Sequence, residues 1–244
     1  MSIQINGIQQ LGVGVVNTNE SFAWYRRHFG VDIDVVNEKA MAEYMLPYTG
    51  GQPRKRHTVL AMNLQGGGGF EIWQHTGREP LSPDFEVKIG DLGISAGKMK
   101  TTDIEKTYDA FNKKGLNLLT SITTDPSGRA HFFMKDAYNN LWEFIEYKEF
   151  FTKTAAVNGG VLGAIIGVKN MEESLSLYRD ILGYDKTMFD KTAIFNDFAG
   201  IPGGENTYRR VLLTHSDKKN GPFSPIFGSS EIELVEVHDR QAIK

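Results

Sequence analysis

Apolar positions in this chain follow two periods, and the two periods alternate. Runs with a period of two, at residues 8–16, 94–101 and 161–169, read as half-buried strands. Each run gives way to a polar residue, then about three helical turns with apolar positions three and four apart, then a glycine. The polar residues are Asn17, Thr102 or Asp103, and Asn170; the glycines are Gly30, Gly115 and Gly183. Asn, Asp and Thr accept hydrogen bonds from the free N–H groups of a first helical turn, and glycine takes the left-handed conformation that ends a last one. The stripes Phe22, Tyr25, Phe29; Ile104, Tyr108, Phe111; and Met171, Leu175, Tyr178, Leu182 read as core faces that press a helix onto a sheet. After each glycine come two or three further strand-like runs, separated by turns such as Asp125-Pro126-Ser127-Gly128. The chain therefore predicts an α+β fold of three βαβββ units, at residues 5–78, 88–150 and 158–244. The tract Gly66-Gly67-Gly68-Gly69 reads as a flexible turn; it lacks the spacing and the trailing lysine of a phosphate-binding loop.

Composition narrows the chemistry. With 40% hydrophobic and 23% charged residues in 244, the chain is that of a folded globular protein. It has no cysteine, which excludes disulfides, thiolate metal sites and a thiol nucleophile. A net charge of −3 gives the surface no general attraction for nucleic acid or acidic lipid. No run is long and apolar enough to span a membrane, and the first ten residues have no signal-peptide pattern, so a cytoplasmic location is expected.

The second unit closes on Asp136-Ala137-Tyr138-Asn139-Asn140-Leu141-Trp142-Glu143-Phe144-Ile145-Glu146. The third carries Tyr178-Arg179-Asp180-Ile181-Leu182-Gly183-Tyr184 and closes on Ile232-Glu233-Leu234-Val235-Glu236. These runs, in three copies in near register, resemble the vicinal oxygen chelate superfamily of glyoxalases, bleomycin resistance proteins and extradiol dioxygenases. The resemblance implies that two units pair into an open cup holding a divalent metal, with ligands from the first and fourth strands of each unit. Transferred to this chain, the first-strand positions fall on Gln10, on Ala96 or Ser95, and on Gly163; the fourth-strand positions fall on Glu71, Glu143 and Glu233.

On that basis residues 1–150 are expected to form one cup, with Gln10, Glu71 and Glu143 as oxygen ligands of Mg²⁺, Mn²⁺ or Zn²⁺, and iron less suited. Glu143 or Glu71 is the expected general base. Lys98 and His57 are expected to bind substrate, and the cup-side lysines Lys98 and Lys100 have a second reading, in which a lysine replaces the missing metal charge. Glu233 would mark a second half-site. The resemblance implies a glyoxalase-like, metal-dependent lyase or isomerase acting on a small substrate with vicinal oxygens. The alternatives are an extradiol-dioxygenase-like enzyme and a metal-free binding protein. His131 and the other histidines look scattered and carry no expected role. The third unit, at residues 158–244, has no partner unit in this scheme. It is expected to belong to a shortened four-unit chain, to form a homodimer through residues 160–240, or to pack on the first pair.

Overall fold

A computed structural model describes residues 5–216 and 221–244. The first unit comprises strand β1 (Gln10–Gly14), helix α1 (Thr18–Phe29) and strands β2 (Ile33–Ala42), β3 (Arg54–Met62) and β4 (Gly69–His75). The second comprises β5 (Gly93–Thr101), α2 (Ile104–Lys113), the short β6 (Asn117–Leu118) and β7 (Thr123–Thr124), β8 (Ala130–Lys135) and β9 (Leu141–Glu146). The third comprises β10 (Asn158–Gly167), α3 (Met171–Leu175) continued as a π-helical turn over Ser176–Ile181, β11 (Lys186–Ile194), β12 (Thr207–Thr214), a one-turn α4 (Ser224–Phe227) and β13 (Glu231–Val237). The helix ends are made as the sequence predicts. Asn17, Asp103 and Asn170 accept from first-turn N–H groups, and Gly30, Gly115 and Gly183 have φ of 69°, 67° and 71°.

The strands form two sheets. One, of four strands, has the order β1-β4-β3-β2; the other, of nine, runs β11-β12-β13-β10-β5-β9-β8-β6, with β7 also on β8. The first strand of each unit lies parallel to its fourth. In the larger sheet β5 and β10 join antiparallel, pairing Thr101 with Asn158 and Met99 with Val161.

This pairing corrects the sequence expectation. The cup is shared by the second and third units, not by the first and second. The first unit instead packs its helix face against the helix face of the second. Phe29 stacks on Phe111 at 6.0 Å between ring centroids, and Phe70 meets Trp142 at 4.7 Å. One core runs through Leu11, Val13, Tyr25, Phe29, Phe70, Phe111, Trp142 and Phe144. Apolar helix stripes are alike in all three units, so sequence periodicity does not say which stripes meet. The inner face of the third unit thus lies beside the second unit, and β10 is buried over most of its length. The open surface lies on the first unit, where β1 and β2 are sheet edges and nearly all of β2 is exposed.

The interface of the first two units is fixed by a buried carboxylate. Asp136 accepts from Tyr25 Oη at 2.6 Å, from Trp142 Nε1 at 2.8 Å, from Asn140 Nδ2 at 2.9 Å and from the backbone N–H groups of Tyr138 and Asn140. Burial, and next the Asp136 charge, push the Tyr25 hydroxyl well above its ordinary pKa, so it stays a donor. Asp136→Ala strands several buried donors and is expected to lower stability by about 3 kcal/mol or more, read as a fall in the denaturant midpoint. A loss below about 1 kcal/mol would show that water replaces the carboxylate.

The tetraglycine tract also differs from its reading as a flexible turn. A Cβ on Gly66 would lie 1.1 Å from the Gly159 carbonyl oxygen, and one on Gly67 would lie 1.6 Å from that of Ile226. The tract is wedged against the backbone of the third unit, where no side chain fits.

Candidate functional site

Strand alternation sends Met99, Trp142 and Phe144 to the helix side of the larger sheet and Lys98, Glu143 and Glu233 to its concave side. All three charged residues are buried. Lys98 Nζ lies 2.7 Å from Glu233 Oε2, 3.1 Å from Glu143 Oε2 and 4.0 Å from Glu231 Oε2. Arg210 donates from Nε to Glu233 at 2.8 Å and from Nη1 to Asp197 at 2.7 Å. The ring of His131 contacts Glu143 through Nδ1 at 2.6 Å and faces Asp197 through Nε2 at 3.6 Å. Arg129 binds both oxygens of Glu231 at 2.5 and 3.1 Å and also pairs with Asp125. The concave side thus carries a continuous chain of alternating charges.

Burial sets the electrostatics and the partners reverse it. Burial alone would raise the Glu233 carboxyl, but Arg210 and Lys98 hold it at about 2. Glu143 is likewise lowered against its burial, chiefly by Lys98 and His131. Burial would neutralise Lys98, but Glu143, Glu233 and Glu231 raise its pKa and keep it charged. Asp197 moves the other way: burial raises it despite Arg210.

One end of the cup is closed. The segment after β11 folds over it, and Phe195, Phe198 and Ile201 pack with Ala96, Phe133, Leu141 and Ile165. Arg210 lies over the Phe198 ring at 3.7 Å. The other end opens into a cleft of about 800 Å³, lined in part by Lys100, Arg129, Tyr147, Phe151, Met188 and Ser229.

The expected ligand set does not assemble. Gln10 and Glu71 are neighbours, with Gln10 Nε2 donating to Glu71 Oε2 at 2.9 Å. They lie on the smaller sheet, on the face away from its core residues Leu11, Phe70 and Ile72. Glu143 belongs to the larger sheet and points away from the first unit, because Trp142 and Phe144 on either side of it face that unit. His57 does not join Lys98 or the Gln10–Glu71 face. It sits on the helix side of β3 in line with Val59 and Ala61, with Nε2 3.0 Å from Asn37 Oδ1. Lys98 and Glu233 do meet, as a buried ion pair.

The divalent metal implied by the fold therefore does not fit the cup of the second and third units. A cation between the two fourth-strand glutamates Glu143 and Glu233 would meet the Lys98 ammonium already there. Among the described residues no three His, Asp or Glu side chains are grouped to hold a metal ion. On the smaller sheet Gln10 and Glu71 offer two oxygen donors, with the Gln10 amide turned the other way round, which leaves further positions to be filled from elsewhere.

Sequence reasoning passed over His131, Arg210, Asp197 and Arg129. For two of them a signal existed. Arg210 leads directly into the apolar run Val211-Leu212-Leu213 of β12, and His131 into Phe132-Phe133-Met134 of β8. A charged side chain in such a run needs a partner within reach. Asp197 comes from a loop whose path over the cup no local pattern predicts.

Among the described residues no helix is long and apolar enough to cross a membrane. Among the solved structures that resemble the whole arrangement are glyoxalase I from Zea mays (14% identity, TM-score 0.58) and its V278E mutant (14% identity, TM-score 0.59). In each case 96% of this chain and 69% of the maize chain are covered, a likeness of fold. No curated protein matches the sequence. The sequence pattern of the Glyoxalase/Bleomycin resistance protein/Dioxygenase superfamily matches residues 7–144, more than half of the chain. Taken with the unit topology, that match makes this chain a member of the Glyoxalase/Bleomycin resistance protein/Dioxygenase superfamily.

Proposed function

We propose that the cup of the second and third units binds a small organic molecule without a metal. The observation that carries this reading is Lys98 Nζ between Glu143 and Glu233, at 3.1 and 2.7 Å. Superfamily members commonly place a divalent cation in such a cup. Here a lysine supplies the positive charge, and neighbouring arginines neutralise the remaining carboxylates.

A second reading concerns the first unit and is favoured by the Gln10–Glu71 pair, 2.9 Å apart on the outer face of the smaller sheet. Among the described residues Glu71 has no cationic partner. In this reading Gln10 and Glu71 contribute half of a hard-cation site for glyoxalase-like proton transfer on a substrate with vicinal oxygens. Glu71 serves as ligand and base, and a bound metal would supply charge stabilisation to an enediolate-like species.

Thermal melts with Mn²⁺, Mg²⁺ and Zn²⁺ separate the two. A ligand at about a hundred times its Kd stabilises by about 2.7 kcal/mol, a shift of several degrees. No metal-induced shift should depend on Glu143. A shift lost in Glu143→Gln refutes the metal-free cup. A shift lost in Glu71→Gln and kept in Glu143→Gln establishes the first-unit site.

A further inference from the structure

Two lysines on one strand point into the cup side, and they have opposite surroundings. Lys98 is held by carboxylates. Lys100, two residues on, has no carboxylate within ion-pair distance among the described residues, although it is only 1% exposed. Its Nζ donates to the Phe227 carbonyl at 3.4 Å and stands 5.7 Å from the centre of the Tyr147 ring. A buried ammonium without a counter-ion is among the most unfavourable groups a fold can retain. This one lines the open cleft of about 800 Å³, a size that suits a small organic ligand.

The rest of the lining says what kind. Four cations, Lys100, Arg129, Lys148 and Lys186, stand against two carboxylates, Glu149 and Glu231. Arg129 is already engaged by Glu231 and Asp125, and Glu149 accepts from the Ser229 hydroxyl at 2.8 Å. Among the described residues Lys100 is the buried cation of this lining that no carboxylate pairs. Phe150, Phe151, Met188 and Pro225 supply an apolar wall.

We propose that this cleft is a receptor for a small organic anion, a carboxylate on an apolar body, with Lys100 as its counter-ion. The inference rests on the metal-free reading of the cup and adds the ligand class. Burial lowers Lys100 to about 8, and Glu149 and Glu231 only partly oppose it. The other titratable groups lining the cleft are Tyr147, Arg129, Lys148, Lys186 and His215. A bound carboxylate favours the ammonium form, so above the free pKa of Lys100 binding draws a proton from solution.

Isothermal calorimetry with phenylacetate, and with 2-phenylethanol as the neutral molecule of similar shape, tests this. It is run near pH 9 in two buffers of different ionisation enthalpy. Phenylacetate is expected to bind at least about tenfold more tightly than the alcohol and to take up close to one proton, falling toward none near pH 6.5. Lys100→Met should erase the preference for the acid. Lys100→Arg should keep the preference and lose the proton uptake, since arginine stays charged. Equal affinity for acid and alcohol, an unchanged preference in a folded Lys100→Met protein, or no binding of either probe overturns the proposal while leaving the metal-free cup standing. Phenylacetate binding that requires added Mn²⁺ or Zn²⁺ refutes the metal-free reading and this inference with it.

Discussion

Lys98→Met should destabilise the protein by about 3–5 kcal/mol, enough to unfold a domain of ordinary stability at moderate temperature. The methionine fills much of the same volume but leaves Glu143 and Glu233 facing each other without the ammonium between them. Adding Glu143→Gln to the same chain should recover a good part of the loss, because Glu233 still has Arg210 at 2.8 Å and the glutamine no longer carries charge. Chemical denaturation of the two variants and the parent gives the coupling directly. The acid limb offers an independent reading. Glu233 is held at about 2 in the folded state, so its stabilisation is full above the ordinary carboxyl pKa and is lost as pH falls toward 2. Without Lys98 that loss should begin at higher pH. A Lys98→Met protein as stable as the parent, with the same acid limb, would mean that water reaches the two glutamates.

Lys100→Met is expected to act in the opposite direction. A folded-state pKa of about 8 against an ordinary 10.5 means that folding works against protonation of this lysine. The penalty is on the order of 3 kcal/mol near neutral pH, and methionine removes it. The sign of the pH dependence follows. Between about pH 8 and 10.5 the unfolded chain binds a proton on Lys100 that the folded chain does not, so parent stability gains a rising contribution there. The difference between parent and Lys100→Met should therefore shrink as pH climbs through that window. Melts at pH 7 and pH 10 measure it, and a variant no more stable than the parent at pH 7 contradicts the reading of Lys100 as a buried lysine with no carboxylate in ion-pair reach among the described residues.

The α+β class and the ends of the helices were legible because their signals are local. Capping asparagines, stop glycines and apolar stripes each depend on a few neighbouring residues, and Asn17, Asn170, Gly30 and Gly183 behave as read. Which units share a cup depends on a contest between surfaces. Phe29 and Phe111 meet helix face to helix face, while β5 takes β10 as its edge partner, and nothing in either segment alone states that choice. The candidate site was half legible for the same reason. Gln10 with Glu71, and Glu143 and Glu233 on their closing strands, were found by their place within a unit. The partners that decide what those carboxylates do, Lys98 from the second unit and Arg210 and Asp197 from the third, come together only through the pairing. His57, expected to bind substrate, stands in line with the core residues Val59 and Ala61 of β3, a choice of face that no residue beside it in the sequence states.

The four consecutive glycines that lead from β3 into β4 look like the place to cut this chain for a reporter insertion or a permuted terminus. The contacts of Gly66 and Gly67 with the carbonyls of Gly159 and Ile226 argue against it. Added residues there would pry the first unit from the third. The segment between β4 and β5, exposed over most of residues 76–87, is the place where foreign sequence should be tolerated. For anyone engineering the molecule, glycine content and permissiveness therefore point to different loops.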